Sequence, residues 1–211
     1  MGLELDHVLI AVADLGSAAR EFETRYGLAS IEGGRHPGWG TANRIVPLGE
    51  TYVELIAVVD EAEAAKTAVG RWVAQVRSEL GRPLGWAVRT HELDDVARRL
   101  GLTVGAGSRA TPGGAVLRWR SAGLDEAAAE PPLPFFIEWA QGTPFPGRAS
   151  ATHRDGHVKL ARLVLQGEPD RFAAWLGQHD LPITVRAGAP GVAEIVLSSS
   201  GGEIVLERSS E

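Results

Sequence analysis

The chain has 211 residues, enough for one large domain or two small ones that each bury a core. Hydrophobic residues make up 44% of it and charged residues 23%, as is usual for globular proteins. The absence of cysteine excludes disulfides, thiolate metal sites and a cysteine nucleophile. The net charge of −6, without a long basic run, argues against a nucleic-acid surface. No apolar run approaches the roughly 18–20 residues that cross a bilayer. We therefore expect a cytoplasmic protein without membrane partners.

The first of three similar units begins with an apolar, alternating segment at residues 5–12. No basic residues precede its apolar run, so we interpret it as a strand rather than a signal peptide. Asp14 is placed to cap an amphipathic helix, and Gly27 is placed to end that helix in a left-handed conformation. Extended segments are predicted at residues 44–48 and 52–58.

The second unit repeats this plan after a connecting helix, which apolar periodicity predicts over residues 61–80. Residues 84–89 form its first predicted strand, and a helical stripe after this strand ends at Gly101. Further strands are predicted at residues 115–120 and 135–139. The acidic, alanine-rich segment between these two strands is interpreted as a loop, with a lid as its possible role.

A shorter third unit follows a linker. Residues 159–166 are predicted to form a strand, and Pro169 stands where a helix would begin. Residues 194–198 and 203–207 are predicted to form a closing hairpin. This unit therefore has the pattern of a partial βαββ repeat.

The last strand of each unit places a glutamate among apolar residues. In the first two units these are Glu54 and Glu138, and in the third, less clearly, Glu207. Strand alternation puts each glutamate on the opposite face from its apolar neighbours. If the units are related by a pseudo-twofold axis, Glu54 and Glu138 open on one cavity. Repulsion there would raise the pKa of one carboxyl and make it a candidate general acid or base.

Several segments together resemble one family. Leu5-Asp6-His7-Val8, with the helix ending at Tyr26-Gly27-Leu28, is similar to the opening of vicinal oxygen chelate proteins. The glycine-rich segment at 34–43 and the strands around Glu54 and Glu138 resemble the glyoxalase-like domain subgroup. This resemblance implies an α+β fold in which paired βαβββ modules form a curled mixed sheet around a cavity, here with a third partial βαββ unit.

The resemblance also suggests a division of the chain. Residues 1–142 are assigned to a glyoxalase-like paired-module domain. Residues 143–211 are assigned to the third partial repeat, which we expect to pack on the same sheet and to extend it. A small-molecule ligand is the expected partner, and a homodimer is a possible assembly.

Metal-bearing relatives take their ligands from the first and last strands of each module. His7, Glu54 and Glu138 match three of those places, and one imidazole with two carboxylates can hold a divalent ion with open positions. The fourth place, near residues 83–86, has no His, Gln or Glu. The resemblance therefore implies at most a weakly held divalent metal. The alternative for His7 is a hydrogen-bonded strand histidine.

The segment before the third predicted strand supplies further candidates. His36 is a candidate base or substrate contact, with the capping of a turn as the alternative. Asn43 is expected to face the pocket and bind substrate. Thr41 either joins it there or bonds the local backbone.

Three residues of the second unit are candidate substrate contacts. Trp86 and Trp139 can wall a pocket, with burial in the core as the alternative. Arg118 can hold a carboxylate or phosphate if its strand face is concave, and otherwise faces solvent.

The leading functional hypothesis is a small-molecule enzyme of the lyase, isomerase or dioxygenase type, acting on an oxygen-rich substrate in a carboxylate-lined pocket. Its catalytic residues would be Glu54, Glu138 and His36. The alternative is a non-catalytic small-molecule or drug-binding protein of the same fold, which needs an aromatic pocket but no metal. A third possibility is a scaffold that assembles with a partner.

Overall fold

The computed structural model describes residues 2–208. The elements of the first module are β1 (Glu4–Ala11), α1 (Leu15–Tyr26), β2 (Ile31–His36), β3 (Thr41–Pro47) and β4 (Tyr52–Val58). Two helices, α2 (Glu61–Ala64) and α3 (Ala68–Val76), lead to the second module. The elements of the second module are β5 (Arg82–Arg89), α4 (Leu93–Leu100), β6 (Val104–Ala110), β7 (Val116–Ala122), α5 (Leu124–Ala129) and β8 (Phe135–Trp139).

A 3₁₀ turn at Pro146–Arg148 precedes the third unit. Its elements are β9 (Lys159–Gln166), α6 (Pro169–Leu176), β10 (Ile183–Arg186), β11 (Gly191–Ser199) and β12 (Gly202–Glu207). None of the helices within residues 2–208 has the length and hydropathy that a membrane-spanning segment requires.

Helix α1 shows how local sequence sets these elements. The Asp14 side chain accepts a hydrogen bond from the Ser17 backbone amide at 2.7 Å, which satisfies one of the free amides of the first turn. At the other end Gly27 adopts a φ of 69°, and its amide bonds back to the helix. Phe22 is buried on the face between these caps. The predicted cap and stop are both confirmed.

Eight strands form one curled sheet in the order β2-β3-β4-β1-β5-β8-β7-β6. In each module the first strand runs parallel to the last, β1 beside β4 and β5 beside β8. The two first strands pair antiparallel at the centre of the sheet. The same order and pairing in both halves confirm the predicted paired βαβββ modules and the α+β class.

The two edge strands of this sheet lie close to each other, so the sheet is nearly closed. Arg109 on β6 donates from Nη1 to the Gly33 carbonyl oxygen on β2 at 2.7 Å. A Cβ at Gly34 would stand 2.4 Å from the Ala110 carbonyl oxygen, so only glycine permits this approach. Sequence analysis did not predict β2 or β6, because both strands are glycine-rich.

The two faces of the sheet bury different groups. We call the face that carries His7 the cavity face and the opposite face the outer face. Helices α3 and α5 cover the cavity face, through residues that include Trp72 and Ala127. Helices α1 and α4 pack on the outer face, through residues that include Phe22 and Val96. The segment predicted to be a loop or lid therefore contains a helix, α5, that covers the cavity.

The helix predicted over residues 61–80 is divided in two. Thr67 caps α3 by accepting a hydrogen bond from the Gly70 amide at 3.0 Å. A Cβ at Gly70 would lie 2.4 Å from the Ala64 carbonyl oxygen, so the two short helices pack tightly at this glycine. The cap starts a new helix because its side chain replaces the backbone acceptor that a continuous helix would supply.

The third unit has four strands, because β10 joins the three predicted ones. These strands form a separate sheet in the order β10-β9-β11-β12, so the expectation that they extend the first sheet is wrong. The edges of the first sheet are β2 and β6, which face each other and leave no place for further strands. The unit instead packs on the outer face, where Trp175 donates from Nε1 to the Pro134 carbonyl oxygen at 2.9 Å.

Candidate functional site

A small cavity of about 40 Å³ lies between the cavity face and the two helices α3 and α5. Strand alternation turns His7, Asn43 and Glu54 towards it and their neighbours Val8 and Val53 into the outer core. The polar residues of its lining are His7, His36, Asn43, Tyr52, Glu54 and Arg109. Its aromatic carbon surface comes from Trp39, Trp72, Trp119, Phe135 and Trp139.

Glu54 is the buried carboxylate of this cavity, with 6% of its surface exposed. The Asn43 amide nitrogen donates to its Oε1 at 2.7 Å. His7 Nε2 lies 3.4 Å from Oε2, and His36 Nε2 lies 3.7 Å from Oε1. Both carboxylate oxygens therefore face nitrogen atoms that can donate or exchange a proton.

The side-chain amide of Asn43 is oriented so that its two hydrogens point at Glu54 and His36. Its Nδ2 group also lies 3.3 Å from His36 Nε2, while its Oδ1 atom is buried without a hydrogen-bond partner. Exchanging the two atoms would place Oδ1 against the Glu54 carboxylate, which is an acceptor. The observed orientation leaves the Oδ1 atom unpaired, which costs on the order of 1–3 kcal/mol of stability. The same orientation gives the Glu54 carboxylate a hydrogen-bond donor.

His7 is held from the side opposite Glu54. Its Nδ1 lies 2.6 Å from Asp6 Oδ1, and because a carboxylate is an acceptor, Nδ1 donates. Asp6 is fully buried and also accepts from Trp139 Nε1 at 2.9 Å. The Tyr52 ring stacks on the imidazole with centroids 4.5 Å apart. These contacts leave His7 Nε2 facing Glu54. Asp6 was not among the predicted site residues, although a charged residue inside an apolar strand is a usable signal.

His36 is neutral and its tautomer is fixed by its neighbours. Asn43 donates to Nε2, so Nδ1 carries the hydrogen and donates to Thr41 Oγ1 at 2.9 Å. Burial lowers the pKa of His36, and the nearby Arg109 charge lowers it further, while the Glu54 carboxylate opposes both effects. Thr41 therefore bonds the His36 side chain rather than the local backbone.

Arg109 is a buried cation that sequence analysis missed, because its strand was not predicted. It is 6% exposed and lines the cavity together with Glu54. It also lines a larger groove of about 790 Å³ beside the cavity. No Asp or Glu among residues 2–208 forms an ion pair with it.

Glu138 lies outside this constellation. Phe135, Ile137 and Trp139 line the cavity, so Glu138 points to the outer face, where it bonds Arg120. The prediction that Glu54 and Glu138 open on one cavity is therefore wrong. Leu9 pairs with Glu54 and the equivalent Ala87 pairs with Phe135, so Glu138 stands three positions beyond the equivalent of Glu54 and, by alternation, on the other face.

With this geometry defined, comparison with known proteins identifies the family. A family model described as a glyoxalase-like domain matches residues 5–180. The chain belongs to the glyoxalase-like domain family. The resemblance of the sequence to the glyoxalase-like domain subgroup is therefore confirmed.

Known structures and sequences show further similarities to this glyoxalase-like protein. A hypothetical protein from Staphylococcus aureus has the same fold, with a TM-score of 0.73 at 16% identity over 94% of this chain and 92% of that one. A methylmalonyl-CoA epimerase from Mycobacterium tuberculosis gives a TM-score of 0.45 at 23% identity, over 64% and 87% of the two chains.

One curated protein is similar in sequence. It is named outer-membrane lipoprotein LolB, from Cupriavidus pinatubonensis, and is 32% identical over 123 residues. The match covers 53% of this chain and 58% of that protein. The glyoxalase-like chain therefore spans little more than half the length of this relative.

Of the three predicted substrate contacts in the second module, only Trp139 lines the cavity. Trp86 is fully buried in the outer core and donates from Nε1 to the Pro132 carbonyl oxygen at 2.8 Å. Arg118 is exposed and lies in a depression with Glu138. The structure thus shows the stated alternatives, burial in the core for Trp86 and exposure to solvent for Arg118, because Gly85, Ala87, Leu117 and Trp119 take the inward positions on their strands.

The second module supplies no side-chain ligand for a metal ion that the two modules would hold together. The Trp72 ring lies against Gly85, where a Cβ would stand 2.4 Å from the ring. Phe135 and Ile137 occupy the cavity positions of β8. Within residues 2–208 no three His, Asp or Glu side chains form a group that could hold an ion. These residues do not fit the predicted divalent-metal site of His7, Glu54 and Glu138.

Proposed function

We propose that this protein is an enzyme of the isomerase or lyase type that moves a proton on a carbon next to a carbonyl group, with Glu54 as the base. The supporting observation is the buried Glu54 carboxylate, which faces His7 Nε2 and His36 Nε2 in a small cavity lined by aromatic rings. A carboxylate in this setting is poised for general acid–base catalysis.

In this reaction Glu54 removes a proton from the carbon next to the carbonyl group. The electron pair of the broken C–H bond forms an enolate. Return of a proton to the same or a neighbouring carbon gives an isomer, whereas expulsion of a leaving group gives a lyase product. Neither route requires an oxidant or a reductant.

His7 is placed to take part in the proton transfer. Its Nε2 is 3.4 Å from Glu54 Oε2, while Nδ1 donates to Asp6 at 2.6 Å. A proton that Glu54 has taken can move to His7, because the Asp6 carboxylate stabilises the imidazolium that then forms. His7 therefore acts as a relay for Glu54, and Asp6 and Tyr52 position its ring.

Tyr52 remains a neutral phenol. Its burial raises its pKa well above 10, and the Asp6 and Glu54 charges act in the same direction. A protonated hydroxyl at the cavity can donate a hydrogen bond to a developing enolate oxygen. The aromatic walls exclude water, which strengthens such electrostatic contacts.

A Glu54→Gln variant tests the proposal. Small 2-hydroxy ketones and 2-substituted keto acids are incubated with the protein in D₂O, and exchange of the C–H hydrogen is followed by NMR. We expect the variant to exchange on the order of 10²–10⁴ times more slowly than the wild type, because it lacks the base. Glu138→Gln is the matched control and should leave exchange unchanged. Equal exchange by the wild type and Glu54→Gln would refute the proposal.

A non-catalytic small-molecule binding protein is the second candidate. The lining of the cavity by four tryptophans, Trp39, Trp72, Trp119 and Trp139, favours it. On this hypothesis ligands bind without hydrogen exchange, and Glu54→Gln keeps its affinity. The cytoplasmic location and the homodimer likewise remain proposals, the second testable by sedimentation.

A further inference from the structure

Arg109 carries a buried charge for which residues 2–208 supply no ion-pair partner. Its one hydrogen bond is from Nη1 to the Gly33 carbonyl oxygen, and no carboxylate among residues 2–208 pairs with it. Arg120, by comparison, bonds both Glu138 and Asp94. A buried cation without an anion is costly, so the site favours a ligand that brings one.

The position of Arg109 joins two spaces. It lines the cavity of about 40 Å³ that contains Glu54 and the groove of about 790 Å³ beside it. Ile45 in the groove is the cross-strand neighbour of Glu54. Phe145, also in the groove, contacts the Tyr52 and Trp139 rings at the boundary.

The sizes of the two spaces constrain the ligand. One water needs roughly 10–15 Å³, so the cavity accommodates only a small reacting group. The rest of a substrate must extend into the groove and pass Arg109. Much of the groove is apolar, through Ile31, Ile45, Leu117 and Phe145. Its other arginine, Arg148, is already paired with Glu50.

We propose that Arg109 binds the oxyanion group, a carboxylate or a phosphate, of a substrate whose apolar body lies in the groove. This proposal rests on the proposed function, because it places the reacting carbon of that substrate at Glu54. The planar guanidinium fork matches two oxygens of such a group and gives shorter, stronger hydrogen bonds than a neutral donor. The substrate class is therefore an apolar organic acid or phosphate ester that also carries a carbonyl group.

A purely structural role for Arg109 makes different predictions. The bond to Gly33 ties β6 to β2, and its loss alone would lower stability without changing which ligands bind. The two roles are therefore separated by the charge preference of ligand binding and not by stability.

The test uses hexanoate, hexyl phosphate and hexanol as probes of equal chain length, with calorimetric titration of the full chain. We expect at least one of the two anions to bind the wild type about tenfold or more tightly than hexanol, as a charge-assisted bond implies. Which anion is preferred distinguishes a carboxylate from a phosphate. Arg109→Gln should remove the preference, and Arg109→Lys should retain part of it. Arg118→Gln, an exposed arginine on the neighbouring strand, should leave it unchanged.

Equal binding of all three probes by the wild type would overturn the proposal, and this result does not depend on whether any variant folds. A folded Arg109→Gln variant that still prefers the anions would overturn it as well. Glu54→Gln should keep the anion preference. Loss of hydrogen exchange with retained anion binding thus tests the role of Glu54 alone. Hydrogen exchange without anion preference tests the role of Arg109 alone.

Discussion

At the residue scale, the site combines two buried carboxylates, two imidazoles and one buried guanidinium. Asp6 and Glu54 lie on either side of His7, with Asp6 Oδ1 2.6 Å from Nδ1 and Glu54 Oε2 3.4 Å from Nε2. His36 is different, because Asn43 donates to it and Arg109 repels its charged form. The two histidines therefore have different surroundings: His7 lies between two carboxylates, and His36 accepts a hydrogen bond from Asn43.

The neutral His36 predicts a pH dependence of stability. Its folded pKa lies below the ordinary value of 6.5, so the unfolded chain binds more protons between the two values. The free energy of unfolding should therefore fall as the pH drops below about 6.5 and level off below the folded pKa, with a slope of at most about 1.4 kcal/mol per pH unit from this residue. Urea unfolding between pH 7.5 and 5.5 measures it.

Removing His36 should reduce that slope. His36→Gln keeps an acceptor for Asn43 but does not titrate, so its stability should depend less on pH than that of the wild type. His91→Gln, at an exposed position, serves as the control and should behave like the wild type. Identical slopes in all three proteins would show that His36 is not held neutral by burial.

The sequence indicated the part of the site that lies in the first module. His7, His36, Thr41, Asn43 and Glu54 come together as a contiguous polar group. It did not indicate the second half, because β8 is buried on both faces and its apolar residues do not alternate with polar ones. A strand of this kind carries no signal for which face a glutamate occupies.

At the element scale, close backbone contacts decide where helices and strands end. Glycine-rich β2 and β6 lack the β-branched alternation by which strands are recognised, yet the glycines permit the two edges to approach. Helices α2 and α3 are separated by a threonine cap and packed together at Gly70. Both features depend on contacts across space that periodicity does not encode.

Gly70→Ala tests the packing of α2 on α3. In an exposed helix this change stabilises by about 1 kcal/mol, but here the new Cβ would meet Ala64 backbone atoms. We expect the crowding to prevail and to lower the free energy of unfolding by roughly 1–3 kcal/mol in urea titrations. In Gly16→Ala in α1 the new Cβ would make only ordinary contacts with the Asp14 and Arg20 side chains, so this change should be neutral or stabilising. Stabilisation by both substitutions would contradict the tight contact.

At the scale of the whole molecule, the third unit completes the core of the paired modules. Trp175 packs on Phe136 and bonds Pro134, and β11 lies against β5. One hydrophobic cluster therefore contains residues of all three units, among them Trp86, Leu163 and Ile195. The repeats predicted the paired modules. The separate sheet followed from the near closure of the first sheet, which no local pattern reveals.

We propose that residues 143–211 are required for the stability of residues 1–142. A chain ending at Gly142 should be insoluble or melt at a markedly lower temperature, because apolar side chains on the outer face would meet water. Circular dichroism melting of the shortened and full chains measures this. Trp175→Phe, which removes one hydrogen bond to Pro134, should have a much smaller effect. Unchanged melting of the shortened chain would contradict the proposal.

The joint between β2 and β6 has a consequence for how ligands of different sizes are accommodated. Every other pair of neighbouring strands in this sheet is held by a backbone ladder, whereas within residues 2–208 the Arg109–Gly33 hydrogen bond is what links these two edges. Glu54 and His7 lie on β4 and β1, each with ladders on both sides. We therefore expect any widening of the curled sheet to occur at the joint between β2 and β6, which would admit bulkier molecules without changing the spacing of Glu54 and His7.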